Sequence, residues 1–226
     1  MKKRIEKLNH PVWYSLVESP AFFGLDYTGV KCYQPDYCVF GGIDPKGNKQ
    51  IDLLEYVNLT PSFFIFGAKP QLPTSLKIDN CLPCLQMMIE NEIKVEQKDE
   101  ILPLKEQNMP DLLGLVKVAY PEYFKPKTAQ MGNYYGIYKQ NKLVAITGER
   151  MKMDDFTEVS AVITHPQHRQ NGYAEQLVAH TVNTILEASK TPYLHVSAAN
   201  IAAVNLYQKL GFCIHQTMDI WKIVQA

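Results

Sequence analysis

The residues best suited to chemistry form the run Arg169-Gln170-Asn171-Gly172-Tyr173-Ala174, which follows an apolar run ending at Thr164 and precedes a helical pattern. The first turn of a helix has unpaired backbone N–H groups and a partial positive charge, so a phosphate binds there readily. Gly172 would let the backbone approach an anion, Ala174 is small, and Arg169 adds a fork-shaped cationic donor. The run therefore predicts an anion site at a helix start.

A single glycine between a strand and a helix also fits an ordinary tight connection, so this run has two interpretations. The chain has neither G-x-x-x-x-G-K-[ST] nor G-x-G-x-x-G. The first absence excludes a nucleotide P-loop, and the second disfavours a dinucleotide-binding fold.

A second candidate element runs from Asn200 to Phe212. Asn200 is a favoured helix N-cap, and Gly211 can take the left-handed conformation that ends a helix, with Phe212 folding back against it. The hydroxyl of Tyr207 is either a satisfied group in the core or, with an ordinary pKa of about 10, an acid beside a thiol. Together with the anion site, this order of residues favours a thioester cofactor that contains a pyrophosphate.

Hydrophobic periodicity and turn residues predict the elements that position these residues. In the second half we expect helices over 111–120, 173–188 and 200–210, strands over 136–140, 143–149, 158–164 and 193–198, a polar loop over 151–156, and one or two strands within 212–224. The first two strands form a hairpin that turns at Gln140-Asn141, where Asn141 can take a positive φ. In the first half we expect a helix over 10–18 and strands over 39–43, 51–57 and 62–66, while 81–91 fits a helix or a strand. The order predicts a mixed sheet with helices packed on it.

The composition describes a neutral globular chain. Of 226 residues 46% are hydrophobic, and 23 Lys and Arg balance 23 Asp and Glu, so there is no basic footprint for nucleic acid. No apolar run is long enough to cross a membrane, and the basic start is not followed by the apolar segment of a signal peptide. Five cysteines, an odd number, argue against a disulfide framework and favour a reduced, cytoplasmic protein.

A charge-rich segment over 91–106 separates two more apolar halves, and predicts a domain boundary near Lys98. We therefore expect an N-terminal α+β domain over 1–98 and a second domain over 99–226. The Cys81-x-x-Cys84 pair could be a redox pair or half of a zinc site, for which only Cys32 and Cys38 offer a second pair of cysteines. Because no thioredoxin-like context accompanies it, buried free thiols are the favoured interpretation, and we expect no metal.

The motifs R-x-x-G-x-A and N-x-x-A-x-x-L-Y-x-K-L-G-F, in this order, resemble the GCN5-related N-acetyltransferase (GNAT) superfamily. The FR47-like branch is the most similar, through Gly148–Met151, Phe156–Ala161 and Thr164–Pro166. The resemblance covers residues 100–224, and the first half is weakly similar to the extra domain of that branch through Asn9–Trp13. Gln170-Asn171 depart from the branch, which frequently has Gly-Arg there.

The resemblance implies a mixed sheet that splays open between the strands at 158–164 and 193–198, with acetyl-CoA in the opening. The residues implied to bind it are Val162, Ile163 and Thr164 for the pantetheine backbone, Gln170, Asn171, Gly172, Tyr173 and Ala174 with Arg169 for the pyrophosphate, Asn200 for the pantetheine arm and Tyr207 for the sulfur.

The implied reaction is acetyl transfer to a primary amine, which must lose its proton before it attacks the thioester. Glu158 resembles the position that often supplies the base in the family, Glu149 is the second candidate, and either would act directly or through a water. A backbone N–H of the splayed strand would stabilise the oxyanion, and Tyr207 would protonate the leaving thiolate. The neutral surface favours a small-molecule acceptor, to which the first domain would contribute. The alternatives are a non-catalytic acyl-CoA-binding sensor or scaffold and a protein N-acetyltransferase.

Overall fold

The structure is a computed structural model that describes residues 2–47, 53–119 and 124–226. Its α-helices within these ranges are α1 Lys2–Ile5, α2 Pro11–Glu18, α3 Leu54–Leu59, α4 Met109–Ala119, α5 Tyr173–Glu187 and α6 Ile201–Lys209. Its strands there are β1 Gly24–Tyr27, β2 Val30–Tyr33, β3 Phe40–Ile43, β4 Ser62–Phe66, β5 Leu76–Met88, β6 Leu102–Pro103, β7 Tyr134–Lys139, β8 Lys142–Lys152, β9 Phe156–Thr164, β10 Thr191–Ser197 and β11 Cys213–Gln225.

All strands of the described residues join one mixed sheet in the order β1-β2-β3-β4-β11-β5-β10-β9-β8-β7-β6. Strand β5 belongs to the first half of the chain, yet it lies between β10 and β11 of the second half and is antiparallel to both. The sheet of the second half is therefore completed by a strand of the first. The division into domains over 1–98 and 99–226 stays a prediction.

Most of the predicted elements are confirmed, including the helices over 10–18 and 173–188 and the strands over 39–43, 62–66, 158–164 and 193–198. The segment 81–91, which fitted two interpretations, belongs to strand β5 up to Met88 because its residues alternate between two cores: Cys84 packs on one face and Leu85 and Met87 pack on the other. The segment 212–224 is a single long strand with register shifts in its pairing to β5.

The prediction of a strand over 51–57 is wrong, because residues from Leu54 onward form helix α3. Residues 51–52 lie outside the described residues. Leu53 and Tyr56 are both buried, and three residues apart they share one helical face. Short apolar runs do not separate a helix from a strand by periodicity alone. The polar loop predicted over 151–156 is also shorter, because β8 continues to Lys152.

The hairpin between β7 and β8 turns where predicted. Gln140 and Asn141 have φ angles of 48° and 61°, as a two-residue turn that matches the twist of the strands requires. This turn sets the register in which Tyr134 lies opposite Gly148.

Strands β9 and β10 are parallel neighbours over a short stretch only. They pair from Phe156↔Thr191 to Glu158↔Tyr193, and beyond this point they diverge towards their C-terminal ends. Strand β9 also carries an irregularity in its pairing with β8, where Ala161 has a φ of 50°. The divergence leaves a fork in the sheet, which confirms the predicted splayed mixed sheet flanked by helices.

Helices cover both faces of the sheet around the fork. Helix α5 contacts β7 to β10, and shares a core with α6 that includes Val159 and Leu194. Helix α4 contacts β8 and β9 on the other face, where its core includes Tyr134 and Ile146. Helix α2 contacts β2 and β3 as well as β8, so the sheet curls around the N-terminal helices and brings distant strands towards one another. Within the described ranges, no helix has the length and apolar character needed to cross a membrane.

Candidate active site

A cleft of about 440 Å³ opens at the fork, on the side of α5 and α6. Every residue predicted to bind the cofactor lines it: Val162, Ile163, Thr164, Arg169, Gln170, Asn171, Gly172, Tyr173, Ala174, Asn200 and Tyr207. Its other lining residues are His168, Glu175, Ala202, Ala203 and Leu206. Two groups of lining residues, 162–175 and 200–207, are thus brought together although strand β10 separates them in the chain.

The loop before α5 is held in shape by its own side chains. Asn171 Nδ2 donates to the carbonyl oxygens of His168 and Arg169 at 3.0 and 3.2 Å. Gly172 is the N-cap of α5 with φ 75°, and a Cβ added there would meet no atom within 4 Å. The glycine is therefore required by its left-handed conformation, and it leaves open space in front of the helix N-terminus where an anion can sit.

Gln170 also takes the left-handed conformation, with φ 64°. For a residue with a Cβ this conformation costs roughly 1–2 kcal/mol. Gln170 therefore adopts a backbone conformation that a glycine would adopt without this cost.

Helix α6 is capped as predicted at both ends. Asn200 Oδ1 accepts from Ala203 N at 3.2 Å. Gly211 has φ 96°, and the amides of Gly211 and Phe212 donate to Gln208 and Tyr207 carbonyls at 3.0 and 2.9 Å, which is the Schellman pattern. The ring of Phe212 lies 5.7 Å from that of Tyr207. These bonds fix the orientation of Tyr207, whose side chain is largely buried at the wall of the cleft.

Glu158 lies on β9 at the last paired position before the fork, and its side chain is 1% exposed. Arg150 binds it with two hydrogen bonds, Nε to Oε2 at 2.8 Å and Nη2 to Oε1 at 3.0 Å. His195 Nδ1 lies 2.9 Å from Oε1. Burial raises the pKa of Glu158, but the charge of Arg150 and the hydrogen bonds from His195 and Arg150 lower it further, to about 2.

Because Glu158 is ionised, the ring of His195 donates from Nδ1, which leaves Nε2 as an acceptor. Gln86 Nε2 fills that acceptor at 3.0 Å, and Gln216 Nε2 donates to Gln86 Oε1 at 2.9 Å. Both glutamines also donate to the carbonyl oxygen of Leu8. A hydrogen-bonded line therefore crosses β9, β10, β5 and β11 and ties the N-terminal segment to the base of the fork.

Glu149, the second carboxylate predicted as a base, is buried on β8. It accepts from the backbone and side-chain nitrogens of Asn133, both at 3.2 Å, and pairs with Lys152 at 2.7 Å. Neither Glu149 nor Glu158 is among the lining residues of the cleft. Their role as base stays a prediction.

Sequence reasoning missed the partners of Glu158. Arg150 had been noticed only as part of a motif, while His195, Gln86 and Gln216 had no role. Their contacts link residues up to 208 positions apart, as between Gln216 and Leu8. The sequence did contain a signal for these contacts, namely a charged or amide side chain within an otherwise apolar strand. Such a side chain is buried only when it has hydrogen-bond or ionic partners.

The cysteines form no site. Cys81 and Cys84 lie on strand β5, where residues three apart point to opposite faces. Burial raises the pKa of the Cys84 thiol to about 11, and all five cysteines are free. In the described part of the chain, no three His, Cys, Asp or Glu side chains are grouped as metal ligands.

Comparisons with known proteins agree with this geometry. Residues 134–221 match the family model of the FR47-like proteins. The crystal structure of a GNAT-family protein from Novosphingobium aromaticivorans is 25% identical, with a TM-score of 0.87 over 97% of this chain and 98% of that chain. A GCN5-related N-acetyltransferase from Kribbella flavida is 15% identical, with a TM-score of 0.61 over 97% of this chain and 94% of that chain. No curated protein matches the chain.

A further solved structure is that of Arabidopsis thaliana Naa50 in complex with the bisubstrate analogue CoA-Ac-MVNAL. It is 17% identical, and the match has a TM-score of 0.50 over 57% of this chain and 99% of that chain.

The sheet that forks between β9 and β10, with the loop from Arg169 to Ala174 at the start of α5, is typical of the acetyltransferase fold. The fold is that of the GCN5-related N-acetyltransferases, and residues 134–221 carry the similarity to the FR47-like proteins.

Proposed function

We propose that this protein transfers an acetyl group from acetyl-CoA to a primary amine of a small molecule, by direct attack within a ternary complex. The observation that carries the proposal is the cleft at the fork, which has the N-terminus of α5 and the loop from Arg169 to Ala174 at one wall and Tyr207 at another. One extended ligand could therefore receive hydrogen bonds to its anionic group at α5 and a proton from the Tyr207 hydroxyl.

The cofactor is proposed to lie along the open edge of β9. Ile163 and Thr164 pair with Ile146 and Ala145 of β8 on one side, while β10 has already diverged on the other. Backbone groups that face the fork are therefore available to the amides of a pantetheine arm. The pyrophosphate would accept from the N–H groups of Gln170 to Ala174, with Arg169 beside them. The CoA analogue bound by Naa50 supports a CoA ligand for this fold.

The chemistry requires a neutral amine, a stabilised oxyanion and a protonated leaving group. The amine nitrogen attacks the thioester carbon, a backbone N–H of the fork stabilises the oxyanion, and collapse of the intermediate breaks the carbon–sulfur bond. The nitrogen, which is positively charged after the attack, loses a proton to water, and Tyr207 donates a proton to the departing thiolate and regains one from solvent. No metal is needed for these steps.

Glu158 and Glu149 stay the two candidate bases. Removing a proton from an alkylammonium group of pKa about 10 with a carboxylate of pKa about 2 is uphill by about 11 kcal/mol. Glu158 would therefore act only through a water that passes the proton to solvent, or on an amine that the pocket has already desolvated to its neutral form.

A small acceptor is proposed because the formal net charge is zero, which gives no general attraction for a charged protein or for nucleic acid. Five free cysteines support a reducing compartment such as the cytoplasm. The alternative of a protein N-acetyltransferase is supported by the peptide portion of the Naa50 ligand. A non-catalytic acyl-CoA sensor is the second alternative.

Thiol release from acetyl-CoA with a panel of primary amines, amino acids, polyamines and short peptides tests the proposal. We expect release that depends on a small amine and produces the N-acetylated product by mass spectrometry. Acetyl-CoA binding by calorimetry without release on any acceptor would identify a sensor instead. Release with peptides alone would identify a protein N-acetyltransferase.

A further inference from the structure

Arg150 lies on the face of the sheet opposite α5, and only one edge of its guanidinium group is hydrogen-bonded. Its Nε and Nη2 bind Glu158, while Nη1 has no hydrogen-bond partner among the described residues. The Arg150 side chain is 13% exposed, whereas its partner Glu158 is 1% exposed. The guanidinium therefore keeps N–H groups that a ligand can reach, at the end of an otherwise buried ion pair.

The phenol hydroxyl of Tyr134 is a second unused polar group at the same place. Tyr134 is 3% exposed, and its hydroxyl makes no hydrogen bond to any described residue. A buried hydroxyl without a partner costs roughly 1–3 kcal/mol, so its presence needs a cause. Burial raises the pKa of Tyr134, and the positive charge of Arg150 acts in the opposite direction.

The backbone places both groups beside the fork. Tyr134 of β7 lies opposite Gly148 of β8, which lies opposite Ser160 of β9. A Cβ at Gly148 would overlap one edge of the Tyr134 ring, at Cδ1, Cε1 and Cζ, so the ring lies across β8 at Gly148. Gly148 and Arg150 are two residues apart and share one face of that strand. The two groups therefore lie beside β9, the strand that parts from β10 after Glu158.

The first half of the chain also contacts Arg150. The ring of Phe40, on β3, lies 4.6 Å from the guanidinium carbon of Arg150. The stack and the pair with Glu158 hold the guanidinium plane in one orientation. The curl of the sheet around α2 brings Phe40 to this position.

We infer that Arg150 Nη1 and the Tyr134 hydroxyl bind a carboxylate of the acceptor, and that the acceptor is an amino acid or another amine bearing a carboxylate. This inference rests on the proposed acetyl transfer. A carboxylate accepts from both donors, which satisfies the buried hydroxyl and the free edge of the guanidinium together. An α-amino group attached to that carboxylate would lie next to the fork, on the side from which it can reach the thioester.

Arg150 and Tyr134 would act in binding, so the expected readout is substrate preference. Amino acids and their amides are compared pairwise in the thiol-release assay, at equal concentrations of the neutral amine. We expect kcat/KM to favour the amino acid by about ten- to hundredfold, as hydrogen bonds to a charged group allow.

Tyr134→Phe removes only the unpartnered hydroxyl, so folding is kept. We expect it to reduce the preference for amino acids over amides by about tenfold or more, mainly through KM of the amino acid. Tyr138→Phe is the matched control, because Tyr138 lies on the same strand and its hydroxyl already bonds Asn108 and Asp111. Arg150→Lys, which keeps a charge for Glu158 but loses the fork, should reduce the preference as well.

An equal rate with amides and amino acids, or an unchanged preference in Tyr134→Phe, overturns the carboxylate site and leaves the proposed function in place. If no amine and no amino acid causes thiol release, the proposed function is overturned, and the inference with it.

Discussion

The two sides of the fork are built in opposite ways. The proposed cofactor side has backbone N–H groups, one left-handed glycine and two helix ends, which lie within about fifty residues of one another in the chain. The proposed acceptor side has side chains of β3, β7, β8 and β9, several of which are charged and buried. The first side is an open cleft, whereas the second contains the buried ion pair of Arg150 and Glu158.

Because of this difference, the two sides should tolerate different amino-acid substitutions. Backbone donors are insensitive to most substitutions, so the cofactor side depends on conformation at a few positions such as Gly172. The acceptor side depends on the identity of each partner, because removing one member of a buried ion pair leaves the other uncompensated. Changes on the two sides should therefore affect different measurable quantities.

Tyr207→Phe should give the largest effect. We expect turnover to fall by about ten- to ten-thousandfold, the range for loss of a general acid, with little change in the affinity for acetyl-CoA. Steady-state kinetics with the best acceptor and calorimetry with acetyl-CoA measure the two quantities. Unchanged turnover would remove Tyr207 from the acid role and leave the cofactor side purely a binding surface.

Glu158→Gln should lower the free energy of unfolding by about 3–5 kcal/mol, because Arg150 would be left in a buried site without its counter-charge. Acetyl-CoA affinity should change little in the fraction that folds, since Glu158 does not line the cleft. Urea unfolding and acetyl-CoA titration provide the comparison. If the binding free energy of acetyl-CoA fell by as much as the free energy of unfolding, the two sides would be energetically coupled.

The pH dependence of stability should carry the signature of the same pair. The folded pKa of Glu158 is lowered from 4.5 to about 2, so its stabilising contribution is full above pH 4.5 and is lost as the pH falls towards 2. Urea unfolding between these pH values should show a decline in the wild type that is smaller in Glu158→Gln. Parallel declines in both proteins would contradict the assigned ionisation.

Gly172→Ala and Gly211→Ala form a matched pair for the cofactor side. Both glycines have positive φ, 75° and 96°, so each substitution should lower stability by roughly 1–2 kcal/mol. The Cβ at 172 points into open space in front of α5 and should also weaken acetyl-CoA binding, whereas Gly211 lies outside the cleft lining. Equal acetyl-CoA affinities in the two variants would argue against an anion at the helix start.

Asn200→Ala should give the smallest effect. Loss of the cap bond to Ala203 is expected to lower stability by about 1 kcal/mol, with a modest weakening of acetyl-CoA binding if Asn200 also contacts the pantetheine arm. Thermal unfolding and calorimetry distinguish the cap from the ligand role. Unchanged acetyl-CoA affinity would leave Asn200 as a cap alone.

The same difference explains which parts could be predicted from sequence. The loop at Gly172, the cap at Asn200 and the end at Gly211 are local, since each depends on backbone conformation over a few residues. Hydrophobic alternation likewise predicted the strands on both sides of the fork. These local signals sufficed for the loop and the helix ends, whereas the splay of the sheet and the residues Val162 to Thr164 followed from the family resemblance.

The acceptor side escaped prediction because its contacts are long-range. The pairing of Gln86 with His195 depends on β5 being inserted between β10 and β11, which no local pattern indicates. Glu158 was noticed as a carboxylate, but its ion pair with Arg150 depends on the register between β8 and β9. Helix α3 was missed for a different reason, because a six-residue helix presents too few turns for its period to be recognised.

The most direct test is a crystal structure with a bisubstrate analogue that joins CoA to the amino group of an amino acid through an acetyl linker. We expect the pyrophosphate at the N–H groups of Gln170 to Ala174, the sulfur beside Tyr207, and the carboxylate at Tyr134 and Arg150 on the opposite face. An analogue whose CoA portion lies outside the fork, or whose carboxylate lies on the same face as α5, would contradict a reaction that joins the two sides of the sheet.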